Sequence, residues 1–171
     1  ANPNNPTGTW VTSTKLRKFL DALPSHVIAV VDEAYFEYVE EVEYPDCIEI
    51  LPIYPNLIVT RTFSKIYGLA ALRVGYAIAS EQITEVMNRI RHPFNVNSIA
   101  LAAAEGALDD RKFVETSRML NREQIAVLCE GFTRLGLDWI PSVGNFVTVD
   151  VGQPAMDVFN KMLLQGVIVR P

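Results

Sequence analysis

From Thr12 onward the apolar positions recur every three or four residues. Leu16, Phe19, Leu20 and Leu23 fall on one face of a helix that Thr12 or Ser13 can cap and that Pro24 stops. The period then changes. Val27-Ile28-Ala29-Val30-Val31 is a continuous apolar run rich in β-branched residues, and its lack of alternation predicts a strand buried on both faces, as in a parallel sheet. It ends in Asp32-Glu33-Ala34-Tyr35, and an acidic, turn-rich stretch from Glu37 to Asp46, with Glu40 and Glu41 at its centre, reads as a solvated loop. Leu57 to Thr60 and Val74 to Ala79 are two further strands, and Ser80 opens a helix with Ile83, Val86, Met87 and Ile90 inward. Strands interleaved with helices predict an α/β layer architecture. Ligands of such sheets gather at the carboxyl ends of strands, where Asp32 and the Thr62–Lys65 turn both fall.

The character changes after His92-Pro93-Phe94-Asn95-Val96-Asn97. Ile99 to Leu108 is an Ala-rich helix, and Lys112 to Leu135 a long amphipathic one, with Leu120, Ile125, Leu128 and Phe132 among its apolar positions and Gly136 to end it. Trp139-Ile140 and Phe146 to Val149 read as strands, followed by a helix from about Pro154 to Gln165 and a last strand, Val167 to Val169. This half reads as a small α+β unit joined through the long helix. The expected boundary lies near residue 115, dividing residues 1–115 from 116–171.

Composition narrows the function classes. The chain has 171 residues, 49% of them apolar, enough for a sizeable core. Its 15 basic and 20 acidic side chains leave a net charge of −5, which argues against a broad nucleic-acid or anionic-membrane surface. No apolar run approaches the roughly 20 residues of a membrane-spanning helix. Cys47 and Cys129 fit no metal-ligand spacing, and His26 and His92 have no paired ligands, so no metal site is expected. Two isolated cysteines suit a reducing cytoplasm better than a disulfide scaffold. The chain opens on dense turn chemistry, Ala1 to Gly8, without an initiator Met, and closes on a strand; the expectation is a segment of a longer protein.

Lys65 is the centre of the candidate chemistry. A lone lysine after a buried strand is usually a surface residue. Here Thr62, Ser64 and Arg73 surround it with two hydroxyls and a guanidinium, groups that suit a phosphate dianion. An imine-forming lysine beside a phosphate site suggests pyridoxal phosphate. That cofactor needs a carboxylate at its ring nitrogen, for which Asp32 is the candidate, its alternative being a cap or loop ion pair. It also needs donors to its phenolate oxygen, for which Tyr35 and Asn5 have suitable side chains, the alternative for Asn5 being a turn residue.

Three stretches appear together: Asn4-Asn5-Pro6-Thr7-Gly8, Val31-Asp32-Glu33-Ala34-Tyr35, and Thr62-Phe63-Ser64-Lys65 followed by Arg73-Val74-Gly75. In order and interval they resemble the signatures of the fold-type I, class I and II aminotransferases. The resemblance implies part of a large, mostly parallel α/β domain flanked by helices, with part of a small C-terminal domain. It implies pyridoxal 5'-phosphate as cofactor, Lys65 as its Schiff-base residue, and Asp32 at the pyridine nitrogen. Asn5 and Tyr35 would contact the phenolate oxygen, and Thr62, Ser64 and Arg73 the phosphate.

Arg61 to Ala70, Pro93 to Ser98, Gly144 to Val147 and Gly166 to Pro171 further resemble the branch that transfers the amino group of L-histidinol phosphate to 2-oxoglutarate, in histidine biosynthesis. By that likeness Arg170 would bind the substrate's anionic end, its alternative being a surface cation. Asn97 and Asn145 stay divided between pocket lining and loop hydrogen bonding. The implied partners are small molecules, an amino phosphate ester and a 2-oxo acid, and a second copy of the full-length chain in a homodimer. Two rival enzymes share nearly all these signatures, an aromatic-amino-acid aminotransferase and a threonine-phosphate decarboxylase; a rival of another class is the aminotransferase-like effector-binding domain of a transcriptional regulator.

Overall fold

The computed structural model describes residues 1–171. Helix α1, Ser13–Asp21, starts where Thr12 accepts the Lys15 N–H, and ends before Pro24. Leu16 and Leu20 are buried and Leu23 is partly covered, but Phe19 is exposed. The buried face is therefore narrower than the sequence predicts. Strand β1, Ala29–Asp32, pairs in parallel with β2, Leu57–Thr62, with Asp32 opposite Thr60. The crossover between them holds a 3₁₀ turn, Phe36–Tyr38, and the short helix α2, Cys47–Ile50. α1 and α2 cover one face of these strands, where Leu16, Leu20, Val31, Cys47, Leu57 and Val59 form the main core.

The other face of β1 is open within this chain, with Ile28 and Val30 more than half exposed. The expected two-sided burial is thus one-sided here, because nothing in residues 1–171 packs on that face. Strand β3, Gly75–Ala79, runs antiparallel to β2, so the sheet is mixed, in the order β1-β2-β3. Its link to β2 contains only a 3₁₀ turn, Ala70–Leu72, too little for the helical crossover that a parallel return requires. Helix α3, Glu81–Ile90, leaves Val86 and Ile90 exposed, contrary to the inward face predicted for it, while Ile83 and Met87 are half-buried.

Helix α4, Ser98–Asp109, packs Ala100 and Ala104 against Phe63 and Val74 in a second, smaller core. Helix α5, Arg111–Arg134, runs unbroken through residue 115. Gly136 ends it at φ +70°, with the Leu137 N–H bonded to the Phe132 carbonyl and the Gly136 N–H to that of Thr133. Strands β4, Asp138–Ile140, and β5, Thr148–Asp150, form an antiparallel pair before helix α6, Ala155–Leu164. Residues 167–169, predicted as a strand, have no neighbouring strand to pair with and no regular structure. No helix is long and apolar enough to cross a membrane.

Candidate active site

Successive side chains of a strand point to opposite faces. Val31 and Glu33 therefore turn into the core, while the exposed Asp32 lines a cavity of about 460 Å³ at the carboxyl ends of β1 and β2. Thr62, Ser64, Lys65, Arg73 and Gly75 line it too. The Ser64 N–H donates to Thr62 Oγ1 at 3.0 Å. Arg73 Nη1 donates to the Ala70 carbonyl at 2.9 Å and lies 3.5 Å from Ser64 Oγ. Arg73 itself adopts the left-handed conformation, φ 55° and ψ 48°, which is uncommon outside glycine. It turns the chain into β3 while aiming the guanidinium back over the Ser64 turn. Gly75 permits the close passage beside it, since a Cβ there would stand 2.8 Å from the Arg61 carbonyl oxygen.

The opening loop reaches the same region. Asn2 is buried, its N–H bonded to the Asp32 carbonyl at 2.9 Å and its Oδ1 accepting the Val11 N–H at 2.9 Å. Thus anchored, the loop brings Asn5 Nδ2 within 2.8 Å of the Tyr35 hydroxyl, across 30 positions of sequence. Tyr35 is buried and meets the edge of Phe146, with ring centroids 5.2 Å apart. Lys65 Nζ stands 5.2 Å from the Tyr35 ring centroid, within cation–π range. Asn5 and Tyr35 are not part of the cavity lining, but Lys65 joins them to it.

Seven of the ten residues singled out by sequence are thus assembled in one place. The other three stand apart. Asn97 is exposed, and its Oδ1 caps α4 by accepting the Ala100 N–H at 2.9 Å. Asn145 is exposed in the loop that presents Phe146, with its side chain beside the Tyr38 hydroxyl. Arg170 is exposed beyond the last helix and is not among the residues lining the cavity.

Arg61, which also borders the cavity, belongs to a buried charged cluster absent from the candidate residues named above. Glu33 is fully buried; its Oε1 accepts the Cys47 N–H at 3.1 Å and its Oε2 the Arg61 Nε at 2.9 Å. Arg61 also binds Asp46 at 2.7 Å and stacks 3.5 Å over the Phe36 ring centroid. Burial works against the Arg61 charge, but Glu33 and Asp46 outweigh it and hold its pKa above the ordinary value. The supposedly solvated acidic stretch is only partly so: Glu40 to Glu43 are exposed, whereas Glu37 is half-buried beside Tyr67, and burial raises its pKa. An arginine inside an otherwise apolar strand was the available signal, since a buried guanidinium demands a carboxylate.

A lysine, a strand-end carboxylate, a Tyr–Asn pair and a hydroxyl–guanidinium cluster thus meet at the carboxyl ends of β1 and β2, a set with the chemistry to hold a phosphorylated cofactor. The family model for aminotransferase class I and II matches residues 1–171; the chain belongs to that family. It is 57% identical over all its residues to histidinol-phosphate aminotransferase 1 of Nitrosococcus oceani, of which it covers 46%. It is 56% identical, with the same coverage, to histidinol-phosphate aminotransferase 2 of Pseudomonas aeruginosa. The crystal structure of histidinol-phosphate aminotransferase from Sinorhizobium meliloti, solved in complex with pyridoxal-5'-phosphate, superimposes with a TM-score of 0.92 at 34% identity. That match takes in 99% of this chain and 47% of the other. The chain therefore spans about half the length of the relatives it matches.

Proposed function

We propose that the full-length protein is a pyridoxal-phosphate-dependent aminotransferase that moves the amino group of L-histidinol phosphate to 2-oxoglutarate, giving imidazole acetol phosphate and L-glutamate. The observation that carries the reading is the convergence of Asp32, Thr62, Ser64, Lys65 and Arg73 on one cavity, with the Asn5–Tyr35 pair beside Lys65. The residues fit the cofactor. The cavity, at about 460 Å³, lies in the range of roughly 300 to 1,000 Å³ usual for small-molecule sites. Its polar groups are sorted, with a carboxylate acceptor at one strand end and hydroxyl and guanidinium donors around the next turn.

When bound, pyridoxal phosphate supplies an electrophilic carbonyl carbon for exchange between amines and a cationic ring that takes up electron density. Lys65 would hold the cofactor through Nζ and would serve as the general base that takes a proton from the substrate Cα. Asp32 would keep the proton on the ring nitrogen. Asn5 Nδ2 and the Tyr35 hydroxyl would hold the phenolate oxygen, and Arg73, Ser64 and Thr62 would bind the phosphate.

The domain reading places residues 1–115 in the large cofactor-binding domain, and residues 116–171 in the linking helix and part of the small domain. The substrate assignment keeps Arg170, Asn97 and Asn145 as substrate contacts, completed by residues outside this chain. The same reading makes the enzyme a cytoplasmic homodimer. Lys65→Ala in the full-length protein is expected to abolish both the visible absorption band of the bound cofactor and turnover of histidinol phosphate. Retention of both overturns the assignment. Turnover of phenylalanine or threonine phosphate in preference to histidinol phosphate replaces the substrate with that of a rival.

A further inference from the structure

The backbone pairing of β1 and β2 ends at Asp32 and Thr60, with the Glu33 N–H bonded to the Thr60 carbonyl at 2.8 Å as the last tie. Past that point β1 gives way to the turn that carries Tyr35, while β2 runs on through Thr62 toward Lys65. The Arg61–Glu33 bridge joins the two segments immediately beyond the last paired residues. Arg61 Nε and Nη2 both meet Glu33 Oε2, at 2.9 and 2.8 Å. Its further bond to Asp46 and the Cys47 N–H to Glu33 bond tie the start of α2 to the same point. The Glu33 side chain is wholly inaccessible and that of Arg61 is 9% exposed.

Stability is a poor explanation for such a pair. Burying two charges costs several kcal/mol of hydration, and well-packed apolar replacements often match or exceed the stability of a buried ion pair. Geometry is the better explanation, because a guanidinium fork fixes its partner's position and direction where an apolar contact does not. We infer that the buried Arg61–Glu33 pair is a positioning device that sets the separation of Asp32 from Lys65 across the cavity. It grips β1 one residue after Asp32 and β2 four residues before Lys65. This inference rests on the aminotransferase reading, in which those two side chains hold opposite ends of one rigid ring.

The test uses the full-length holoenzyme and the double variant Glu33→Leu/Arg61→Met, with Glu33→Gln as a second variant. Thermal unfolding, steady-state kinetics and the visible circular dichroism of the bound cofactor are measured for each. The double variant is expected to unfold within a few degrees of the parent. Its kcat is expected to fall about 10- to 100-fold, as for a catalytic group displaced by about an ångström. KM for the amino substrate changes much less, and the dichroic band changes in amplitude. A stable double variant with parental kcat and dichroism overturns the inference. Should that variant not fold, Glu33→Gln decides: a lower kcat with an altered band supports the inference, and parental values for both overturn it. Absence of the band and of turnover in the parent enzyme would instead defeat the aminotransferase reading.

Discussion

Lys65 and Glu33 are both charged residues within three positions of a strand end, yet the structure gives them opposite surroundings. Lys65 borders a cavity, whereas Glu33 is sealed beneath it among Cys47, Arg61 and the aromatic residues of the crossover. That sealed cluster has a pH signature. Burial, then the Glu33 hydrogen bond, pushes the Cys47 thiol up; burial, then the Glu33 charge, does the same to Tyr44. Burial and Glu37 raise Tyr67 to about 12. Unfolded, these groups ionise near about pH 8.5 for cysteine and about 10 for tyrosine. Above those values the native state holds more protons than the unfolded one, so the stability these groups contribute is present below them and lost as pH rises. Urea midpoints of the full-length protein are expected to fall steadily between pH 9 and 11, and Tyr67→Phe should flatten the later part of that decline. At pH 8, iodoacetamide should modify the half-buried Cys129 of the native protein well before the buried Cys47.

The regular elements follow rules that act over a turn or two. Thr12, Asn97 and Asp110 each cap the helix they precede, and Gly136 ends α5 in the left-handed conformation. A Cβ would meet no neighbour at Gly136 or at Gly106, inside α4, so backbone preference alone decides the effect of substitution. Gly136→Ala is expected to cost about 1 kcal/mol, because a Cβ disfavours the left-handed conformation. Gly106→Ala should gain up to about 1 kcal/mol from helix propensity. Urea unfolding of the two variants checks the opposite signs. Such local rules made most elements legible in advance, and the misses share a cause. The inward face of α3, the Phe19 edge of α1 and the final strand each depended on a surface brought from elsewhere. Periodicity marks which residues could be covered, not what covers them.

At the scale of the whole molecule, residues from α5 onward hold the opening loop and the crossover that follows β1. The Val143 N–H bonds to the Gly8 carbonyl at 3.0 Å, the Thr148 hydroxyl bonds to the Pro6 carbonyl, and Arg122 on α5 pairs with Glu40 at 3.0 Å. Gly8, at φ +71°, has no room for a side chain: a Cβ would fall 2.0 Å from Ser142 Oγ. Gly8→Ala should therefore displace the loop that carries Asn5. In the full-length protein the expected outcome is about 10-fold weaker binding of pyridoxal phosphate, by absorbance titration, with the helical content unchanged. Parental affinity would show that the loop and the site are uncoupled. By itself the sequence determined most of the elements in their order, the main helix ends and a set of candidate site residues. Those features depend on side-chain type and on spacing over a few residues. Only the tertiary structure decided that β3 runs antiparallel, that Asn5 meets Tyr35, and that Glu33 and Arg61 form a buried pair beneath Asp32. These depend on which surfaces meet, and distant segments meet only when the chain folds.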